Sequence, residues 1–497
     1  MATELHAEYE SSIGPNDHPY LNDAWRPNNR EYTATELRVI GRVPTDLNGL
    51  FVRNTENPLF EPIGRYHPFD GDGMLHAMRF DQGKVSYRNR FVQTEGLQAE
   101  RAAGQALWAG IAENPKKSLR PGWGAQGSLK DSSSTDVVMH NARLITSFYQ
   151  CGAGYEVDPI SLATMGPAPW VPTDGLSAHP KVDLNTGEML FFNYSKSAPY
   201  QHYGVLDAQG KLAHYTPIAL PGPRLPHDMA FTENYAILAD LPLFWDPDGL
   251  AKGYHANRYY PELPTRFAIV PRYGGADEVR WFEADPTFVL HWGNAYESGD
   301  EVILDGYFQE NPMPQPLADA QANLPTDDPA LKQIMAYVDL HSLQPRLHRW
   351  RFNLRTGAVS ETHLDDRVLE FPTFNQQVAG QPYRYIYSAT TQPGWFLFTG
   401  LYKHDLQTNQ ATSYQFGEGR FGGEAPFAPR DGASAEDDGY LVTFVTDLRE
   451  NQSECVVLDA KNIAAGPICR IILPERISSG THATWAANRE FVAALDA

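Results

Sequence analysis

The chain has 497 residues, with 42% hydrophobic and 12% aromatic residues, enough to build a large buried core. A formal net charge of −21 argues against binding to nucleic acid or to an anionic membrane surface, because both attract clusters of lysine and arginine. The three cysteines, Cys151, Cys455 and Cys469, are too few and too scattered for a disulfide framework or a thiolate zinc site.

The N-terminal region is polar and rich in proline and asparagine, so we expect residues 1–30 to form an arm on the surface of a single domain covering 31–497. The first residues are acidic and lack the apolar core of a secretion signal. No run approaches the roughly 20 apolar residues that a membrane-spanning helix needs. These features predict a soluble, cytoplasmic protein without a transmembrane segment.

From Leu37 onward the chain reads as short β-type runs separated by Gly, Asn, Asp and Pro, the pattern expected of hairpins. Six of the intervening turns have an Asx-type sequence, in which an Asp or Asn side chain satisfies backbone N–H groups. These turns begin at Asp81, Asp158, Asp183, Asp207, Asn353 and Asp405. One such turn indicates only a hairpin, but their spread along the chain favours radial repetition of small antiparallel sheets, as in a β-propeller.

Two segments have helical character. Residues 98–108 are rich in good helix formers, and residues 328–337 begin with Asp-Pro, which is typical of a capped helix start. No Gly/Ser linker or charge run divides the chain. The sequence therefore predicts one all-β propeller domain with a helical cap.

The histidines are the best candidates for chemistry, although no compact metal motif, P-loop or nucleophile elbow is present. A metal site would need ligands dispersed over several blades. Four histidines stand where an apolar segment meets small or turn residues: His179, His227, His291 and His482. Neutral imidazoles suit Zn, Cu, Fe or Ni, so the residues alone suggest a four-histidine metal site without identifying the metal.

Stretches around these histidines and along most of the chain resemble the carotenoid cleavage oxygenases, non-haem iron enzymes that cut a carbon–carbon double bond with O₂. The matching stretches include Gly49-Leu-Phe-Val-Arg-Asn54, Phe69-Asp-Gly-Asp-Gly-Met-Leu-His76, Ser177-Ala-His-Pro180 and Gly423-Glu-Ala-Pro-Phe427. The resemblance implies a seven-bladed β-propeller with a helical and loop cap over axial Fe(II). It also implies that His179, His227, His291 and His482 are the iron ligands.

The resemblance extends to residues behind the ligands. Glu370 and Glu424 match two of the three glutamates that hydrogen-bond ligand imidazoles in the family, where a carboxylate fixes the tautomer and raises the basicity of the ring. The third position is Gln150, whose neutral amide can accept a hydrogen bond but adds no charge. This difference predicts a slightly more electrophilic iron. Family analogy puts Thr135 close to an open position of the iron.

The substrate is less well defined by the sequence. The stilbene-cleaving branch of the family grips a phenol hydroxyl with a lysine, and the matching residue here is Tyr149. A tyrosine of that branch has no match in residues 108–115, whereas its pocket phenylalanine is kept as Phe60. Tyr149 can itself hydrogen-bond a phenol.

Three functions follow from these features. The leading one is cleavage of a small phenolic alkene, such as a vinylphenol, propenylphenol or stilbene, by Fe(II) and O₂ to give an aromatic aldehyde such as vanillin. The alternative is cleavage of a carotenoid or apocarotenoid, which the negative charge and the lack of an exposed-looking apolar run make less favourable. The third is a non-catalytic propeller that binds other proteins, for which the histidines would be structural. The oligomeric state is left open.

Overall fold

The structure is a computed structural model that describes residues 2–14, 18–122, 129–248, 257–312 and 338–491. Within these residues, seven antiparallel sheets of four to six strands form the blades of a β-propeller, and one further hairpin joins the fourth blade. The first strands of neighbouring blades contact one another around a central axis. The predicted all-β, seven-bladed architecture is confirmed.

The blades follow one another along the chain, and we number them from the blade that contains the N-terminus. Blade 1 consists, from the axis outward, of β34 (Ala483–Ala487), β4 (Gly49–Arg53), β5 (Met74–Asp81), β6 (Lys84–Phe91), β2 (Arg30–Thr35) and β1 (Ala2–Glu8). Blade 2 consists of β7 (Asp136–His140), β8 (Arg143–Ser147), β9 (Tyr155–Val157) and β10 (Thr164–Pro167). Blade 3 consists of β11 (Lys181–Val182), β12 (Met189–Tyr194), β13 (Tyr200–Leu206) and β14 (Leu212–Ala219).

The remaining blades keep this order. Blade 4 consists of β15 (Ala230–Phe231), β16 (Tyr235–Asp240), β19 (Thr265–Pro271) and β20 (Arg280–Ala284), with the hairpin of β17 (Leu243–Trp245) and β18 (Asn257–Tyr259) inserted. Blade 5 consists of β21 (Trp292–Ser298), β22 (Glu301–Gln309), β23 (Pro345–Asn353) and β24 (Val359–His363). Blade 6 consists of β25 (Leu369–Thr373), β26 (Tyr385–Thr391), β27 (Phe398–Asp405) and β28 (Gln410–Gln415). Blade 7 consists of β29 (Arg420–Phe421), β30 (Phe427–Pro429), β31 (Gly439–Asp447), β32 (Gln452–Asp459), β33 (Pro467–Ile472) and β3 (Val39–Gly41).

Two pairings between distant parts of the sequence close the ring. Near the axis, β34 pairs antiparallel with β4, so the C-terminal strand completes blade 1. At the periphery, β3 pairs with β33, so an N-terminal strand completes blade 7. Because the ring is closed by strand pairing both near the axis and at the periphery, the exposure of unpaired strand edges is limited.

The six Asx-type turns connect adjacent strands, as predicted. Asp183 Oδ1 accepts a hydrogen bond from the N–H of Asn185 at 2.9 Å, and Asp207 Oδ1 accepts from Gln209 and Lys211, both at 2.9 Å. In both turns a glycine takes the left-handed conformation that L-residues avoid. Local chemistry therefore specifies the hairpins of the blades.

Large buried side chains fill the space between neighbouring blades. Between blades 4 and 5, the Phe267 ring lies 5.7 Å from Trp292, 5.7 Å from Trp350 and 4.8 Å from Phe352, measured between ring centroids. Burying one such side chain contributes about 1.5–3 kcal/mol to folding. Each blade can thus pack against its neighbours without a metal at the axis.

The helices differ in part from the prediction. The helix α1 covers Glu95–Ala103, begins at the cap Thr94 and ends at Gly104, which has a φ of +68°. The expected helix at 98–108 is therefore wrong at both ends, since Gly104 stops it before residue 105. A second, short helix covers Leu340–Leu343. The predicted helix at 328–337 lies outside the described residues.

The N-terminal segment is only partly a surface arm. Strand β1 is exposed, but it is hydrogen-bonded to β2 as the outer edge of blade 1. Tyr20, Leu21 and Trp25 are buried, and Tyr20 Oη accepts a hydrogen bond from the N–H of Phe396 at 3.0 Å. The prediction of a surface arm is wrong for residues 18–25, because their apolar side chains complete a core cluster with blade 6.

Two further observations concern the chain as a whole. Cys151, Cys455 and Cys469 are buried and unpaired. In the part of the chain that the structure describes, no helix combines the length and apolar character needed to cross a membrane.

Candidate metal centre

The propeller brings the four candidate histidines together because of where they stand in their blades. His291 and His482 immediately precede β21 and β34, and His179 and His227 lie two and three residues before β11 and β15. The four strands are the innermost strands of blades 5, 1, 3 and 4. Residues that enter an innermost strand converge at one end of the axis, although up to 303 positions separate them in the chain.

The imidazole rings form a compact cluster. The ring centroid of His179 lies 5.0 Å from His227, 5.1 Å from His291 and 4.4 Å from His482. His291 lies 5.3 Å from His227 and 4.8 Å from His482. The Nε2 atoms of His179 and His227 are 3.3 Å apart. The four rings are therefore close neighbours, and three of them, those of His179, His291 and His482, bring ring nitrogens to within 4.8 Å of one another.

The donor atoms suit a metal ion. Ring nitrogens of His179, His291 and His482 lie within 4.8 Å of one another, and His291 Nε2 is buried without a hydrogen-bond partner among the described residues. Burial lowers the pKa of His179, His227 and His291 well below the usual value, and the neighbouring imidazoles lower it further. These three rings are neutral at pH 7, so their lone pairs are free to coordinate a cation.

Carboxylates from the other blades support three of the rings. Glu370 Oε2 lies 2.6 Å from His291 Nδ1, which is the contact that the resemblance implied. Glu424 Oε2 lies 3.4 Å from His482 Nδ1, also in line with the resemblance. Asp136 Oδ2 lies 3.2 Å from His179 Nδ1. Blades 1, 3, 4 and 5 thus carry the histidines, and blades 2, 6 and 7 each carry one carboxylate.

Sequence reasoning missed Asp136. A weak signal existed because the residue directly follows Thr135, the predicted pocket residue. Asp136 opens the innermost strand of blade 2, which carries none of the four cluster histidines. Its contact with His179 joins residues 43 positions apart in the chain, so local sequence could not reveal it.

Burial and hydrogen bonds set the protonation of the supporting groups. Burial raises the pKa of Glu370 to about 8, although the N–H of Phe371 donates to the same carboxylate and opposes this shift. For His482, burial acts against the charged ring, but the hydrogen bond and charge of Glu424 outweigh it and raise the pKa. Burial likewise raises the pKa of Glu56 to about 8, and Glu56 Oε1 accepts a hydrogen bond from Thr481, the residue before His482.

Tyr149 lies near His227, and Gln150 is the next residue in the chain. Gln150 is buried, and its Oε1 atom has no hydrogen-bond partner among the described residues. The Tyr149 ring centroid is 6.4 Å from that of His227. Burial raises the pKa of the Tyr149 hydroxyl, while a hydrogen bond from the Gln150 side chain opposes the shift. Tyr149 is therefore neutral and linked to the amide at the third supporting position.

The other two predicted pocket residues occupy different places. Thr135 is buried, its Oγ1 accepts a hydrogen bond from the N–H of Tyr149 at 3.2 Å, and its carbonyl accepts one from Thr481 Oγ1 at 2.9 Å. Thr135 thus connects the segment before His482 with Tyr149. Phe60 lines a separate small cavity, whose wall includes Phe148, and the Phe148 ring lies 5.0 Å from Tyr149. Phe60 is therefore two rings removed from the histidine cluster.

Aromatic side chains cover the cluster. The Phe371 ring lies 4.8 Å from both His291 and His482 and packs against Phe396 and Phe398. Phe371 has a φ of +55°, a conformation that L-residues rarely adopt. Because Phe371 follows Glu370, the same unusual backbone sets both the carboxylate and the aromatic cover.

A cavity lies against the cluster. Its walls include His179, His291 and His482 together with charged residues such as Lys181 and apolar residues such as Phe374. Lys181 Nζ forms an ion pair with Asp228 Oδ1 at 2.6 Å. The cluster is consequently bounded by an aromatic layer and by a cavity of mixed polar and apolar lining.

Comparison with known proteins agrees with this fold. The family model described as "Retinal pigment epithelial membrane protein" matches residues 25–487. The chain is 34% identical to carotenoid 9,10(9′,10′)-cleavage dioxygenase 1 of Pisum sativum, over 96% of this chain and 90% of the relative. It is 30% identical to isoeugenol monooxygenase of Pseudomonas nitroreducens, over 94% of this chain and 98% of the relative.

A solved structure shares the fold of this chain. The lignostilbene dioxygenase of Pseudomonas brassicacearum superposes with a TM-score of 0.83 at 29% identity, covering 96% of this chain and all of the other. A seven-bladed propeller with histidines gathered at one end of its axis defines a class of non-haem iron oxygenases that cleave alkenes, and this chain is an enzyme of that class. The chain belongs to the carotenoid cleavage oxygenase family.

Proposed function

We propose that the protein cleaves the carbon–carbon double bond of a small phenolic alkene, with O₂ as co-substrate and Fe(II) held by His179, His227, His291 and His482. The observation that carries the proposal is the convergence of four buried imidazoles beside Tyr149, whose ring lies 6.4 Å from His227. A phenol hydroxyl next to the cluster offers a hydrogen bond to a phenolic substrate. Propenylphenols and stilbenes are the alkenes we expect, with an aromatic aldehyde such as vanillin as a product.

The residues around the cluster have separate roles in this proposal. Glu370 and Glu424 hold the Nδ1 sides of His291 and His482, so that each Nε2 faces the metal position. Phe371 covers two of the rings and excludes water. Thr135 anchors the backbone of Tyr149 beside the cluster. Fe(II), when bound, supplies the chemistry that binds and activates O₂.

The overall reaction balances without an added reductant. The C=C bond and the O–O bond break, two C=O bonds form, and both oxygen atoms of O₂ end in the carbonyl products. No residue has to donate or remove a net proton. The protein's contribution is to orient the alkene and to keep the metal site ordered and dry.

Cleavage of a carotenoid or apocarotenoid is the second candidate. It is favoured by the 34% identity to the plant carotenoid dioxygenase over 96% of this chain. The aromatic residues over the cluster can contact a polyene as well as a phenolic ring. What favours the phenolic alkene is the hydroxyl of Tyr149, which a polyene chain cannot use.

Oxygen uptake tests the proposal. The purified protein is loaded with Fe(II) and supplied separately with 4-vinylguaiacol, isoeugenol, a hydroxystilbene and an apocarotenal, and the His227→Ala variant serves as the control. We expect fast uptake with at least one phenolic alkene, two carbonyl products formed per O₂ consumed, and background uptake in the variant. Faster turnover of the apocarotenal would favour the second candidate, and an iron-free, O₂-inert protein would favour a non-catalytic propeller.

A further inference from the structure

Around the cluster, some blades carry the histidines and the others carry the carboxylates that contact them. Blade 7 carries Glu424, which faces His482 of blade 1, and blade 6 carries Glu370, which faces His291 of blade 5. In both cases a blade that carries none of the four cluster histidines supports the cluster histidine of an adjacent blade. Blade 2 is the only other blade without one of the four histidines, and its neighbour blade 3 carries His179.

Asp136 occupies the corresponding place in blade 2. It is the first residue of β7, it is buried, and its Oδ2 atom lies 3.2 Å from His179 Nδ1. The same Oδ2 atom accepts a hydrogen bond from the backbone N–H of His179 at 3.1 Å. Its Oδ1 atom accepts one from Val137 at 2.7 Å, which holds the carboxylate in place.

The backbone of His179 explains why such a double contact is needed. His179 has a φ of +64°, in the left-handed region that L-residues adopt only when their surroundings impose it. A carboxylate that holds both the N–H group and the ring nitrogen stabilises this conformation and orients the ring.

We infer that Asp136 is a positioning residue for the metal centre: it holds His179 in a left-handed backbone conformation and directs the Nε2 atom of this ring to the metal position. Asp136 is the third carboxylate of the centre, beside Glu370 and Glu424. Among the described residues no carboxylate contacts His227, and the third supporting position holds the neutral Gln150. The inference rests on the proposed four-histidine site.

Cobalt binding tests the inference without relying on activity. The metal-free wild type and the Asp136→Asn variant are titrated with Co(II), and the Kd and the d–d absorption bands are recorded. The control is Asp131→Asn, because Asp131 is a buried aspartate of the same segment whose carboxylate, among the described residues, accepts hydrogen bonds from the backbone N–H groups of Ser133 and Ala153 and contacts no cluster histidine. Circular dichroism and thermal unfolding of the metal-free proteins report the fold.

We expect Asp136→Asn to raise the Kd for Co(II) about 10–100-fold and to change the d–d bands, the size of effect seen when a group that orients a metal ligand is lost. Asp131→Asn should lower the unfolding temperature without changing either property. Equal Kd values and equal spectra for the wild type and Asp136→Asn would overturn this inference and leave the four-histidine site unaffected. Failure of the wild type to bind Co(II) would overturn the four-histidine site and the inference with it.

A folding defect in Asp136→Asn would leave the inference testable. The crystal structure of the Co(II)-loaded wild type then decides. A hydrogen bond between Asp136 and His179 Nδ1 together with a positive φ at His179 supports the inference. A separation of these atoms beyond hydrogen-bond distance, or an extended His179, overturns it.

Discussion

The two halves of the histidine cluster are built differently. On one side, blades 5, 6, 7 and 1 pair His291 with Glu370 and His482 with Glu424, and Phe371 covers both rings. On the other side, His227 lies near Tyr149 and Gln150, which are both neutral. The first side places one carboxyl group behind each of its two histidines, whereas the groups beside His227 are a neutral phenol and a neutral amide. The difference suggests that one side mainly retains the metal and the other mainly selects the substrate.

Removing a histidine from either side is the strongest way to test whether both sides hold the metal. We expect His291→Ala and His227→Ala to reduce iron content and O₂ uptake to background, because each removes a ligand. The propeller should stay folded, since each blade has its own hydrogen-bonded sheet and apolar packing. Metal analysis and circular dichroism measure the two effects. Full activity with retained iron in either variant would contradict the four-histidine assignment.

Replacing Glu370 and Glu424 by glutamine tests the side of the cluster that holds His291 and His482. Glu370→Gln and Glu424→Gln should weaken iron retention about 10–100-fold. The effect should be larger for Glu370, which is fully buried and lies 2.6 Å from its ring, than for Glu424, which lies 3.4 Å from its ring and is partly exposed. Titration of the metal-free variants with Fe(II) under anaerobic conditions gives both Kd values. Equal affinities in the wild type and in both variants would show that the charge behind the rings is unimportant.

Introducing a carboxylate at Gln150 gives the converse test. Gln150→Glu should hold iron at least as well as the wild type, because a carboxylate would join the cluster near His227. The metal-free protein should lose about 1–3 kcal/mol of stability, because the Oε1 atom of Gln150 is buried without a partner and a charge there would be poorly solvated. Iron titration and thermal unfolding measure these effects. Loss of iron from Gln150→Glu, with no effect of Glu370→Gln, would reverse the assignment of the two sides.

The smallest expected effect concerns substrate selection. Tyr149→Phe removes one hydroxyl and should cost a phenolic alkene roughly 0.5–1.5 kcal/mol in kcat/KM, the worth of one hydrogen bond. The O-methyl ether of the same alkene lacks the phenolic donor and should be little affected. Comparing the two substrates in the variant and the wild type isolates the contact. An equal loss on both would mean that Tyr149 only supports packing, consistent with its contacts to Phe69 and Phe148.

Some features of the fold could be predicted locally and others could not. The Asx turns at Asp183 and Asp207 were predictable because side chain, backbone and glycine all act within five residues. The burial of Tyr20 and Trp25 was not, because their partners Phe396 and Trp395 lie more than 300 positions away in the chain. The polar composition of residues 1–30 gave no indication that these few apolar residues are buried. Gly104 did carry a stop signal for α1, and its left-handed conformation accounts for the early end of the helix.

The sequence by itself determined the hairpins, the all-β class and, through resemblance to a family, the four histidines with Glu370 and Glu424. These depend on residue types and on spacings that can be read along the chain. Only the tertiary structure brought Asp136 to His179, separated Phe60 from the cluster and linked Tyr149 to Gln150. The physical reason is that a propeller places the starts of its innermost strands around one axis. Contacts at that axis depend on which blades are neighbours in space, and no local pattern in the sequence records them.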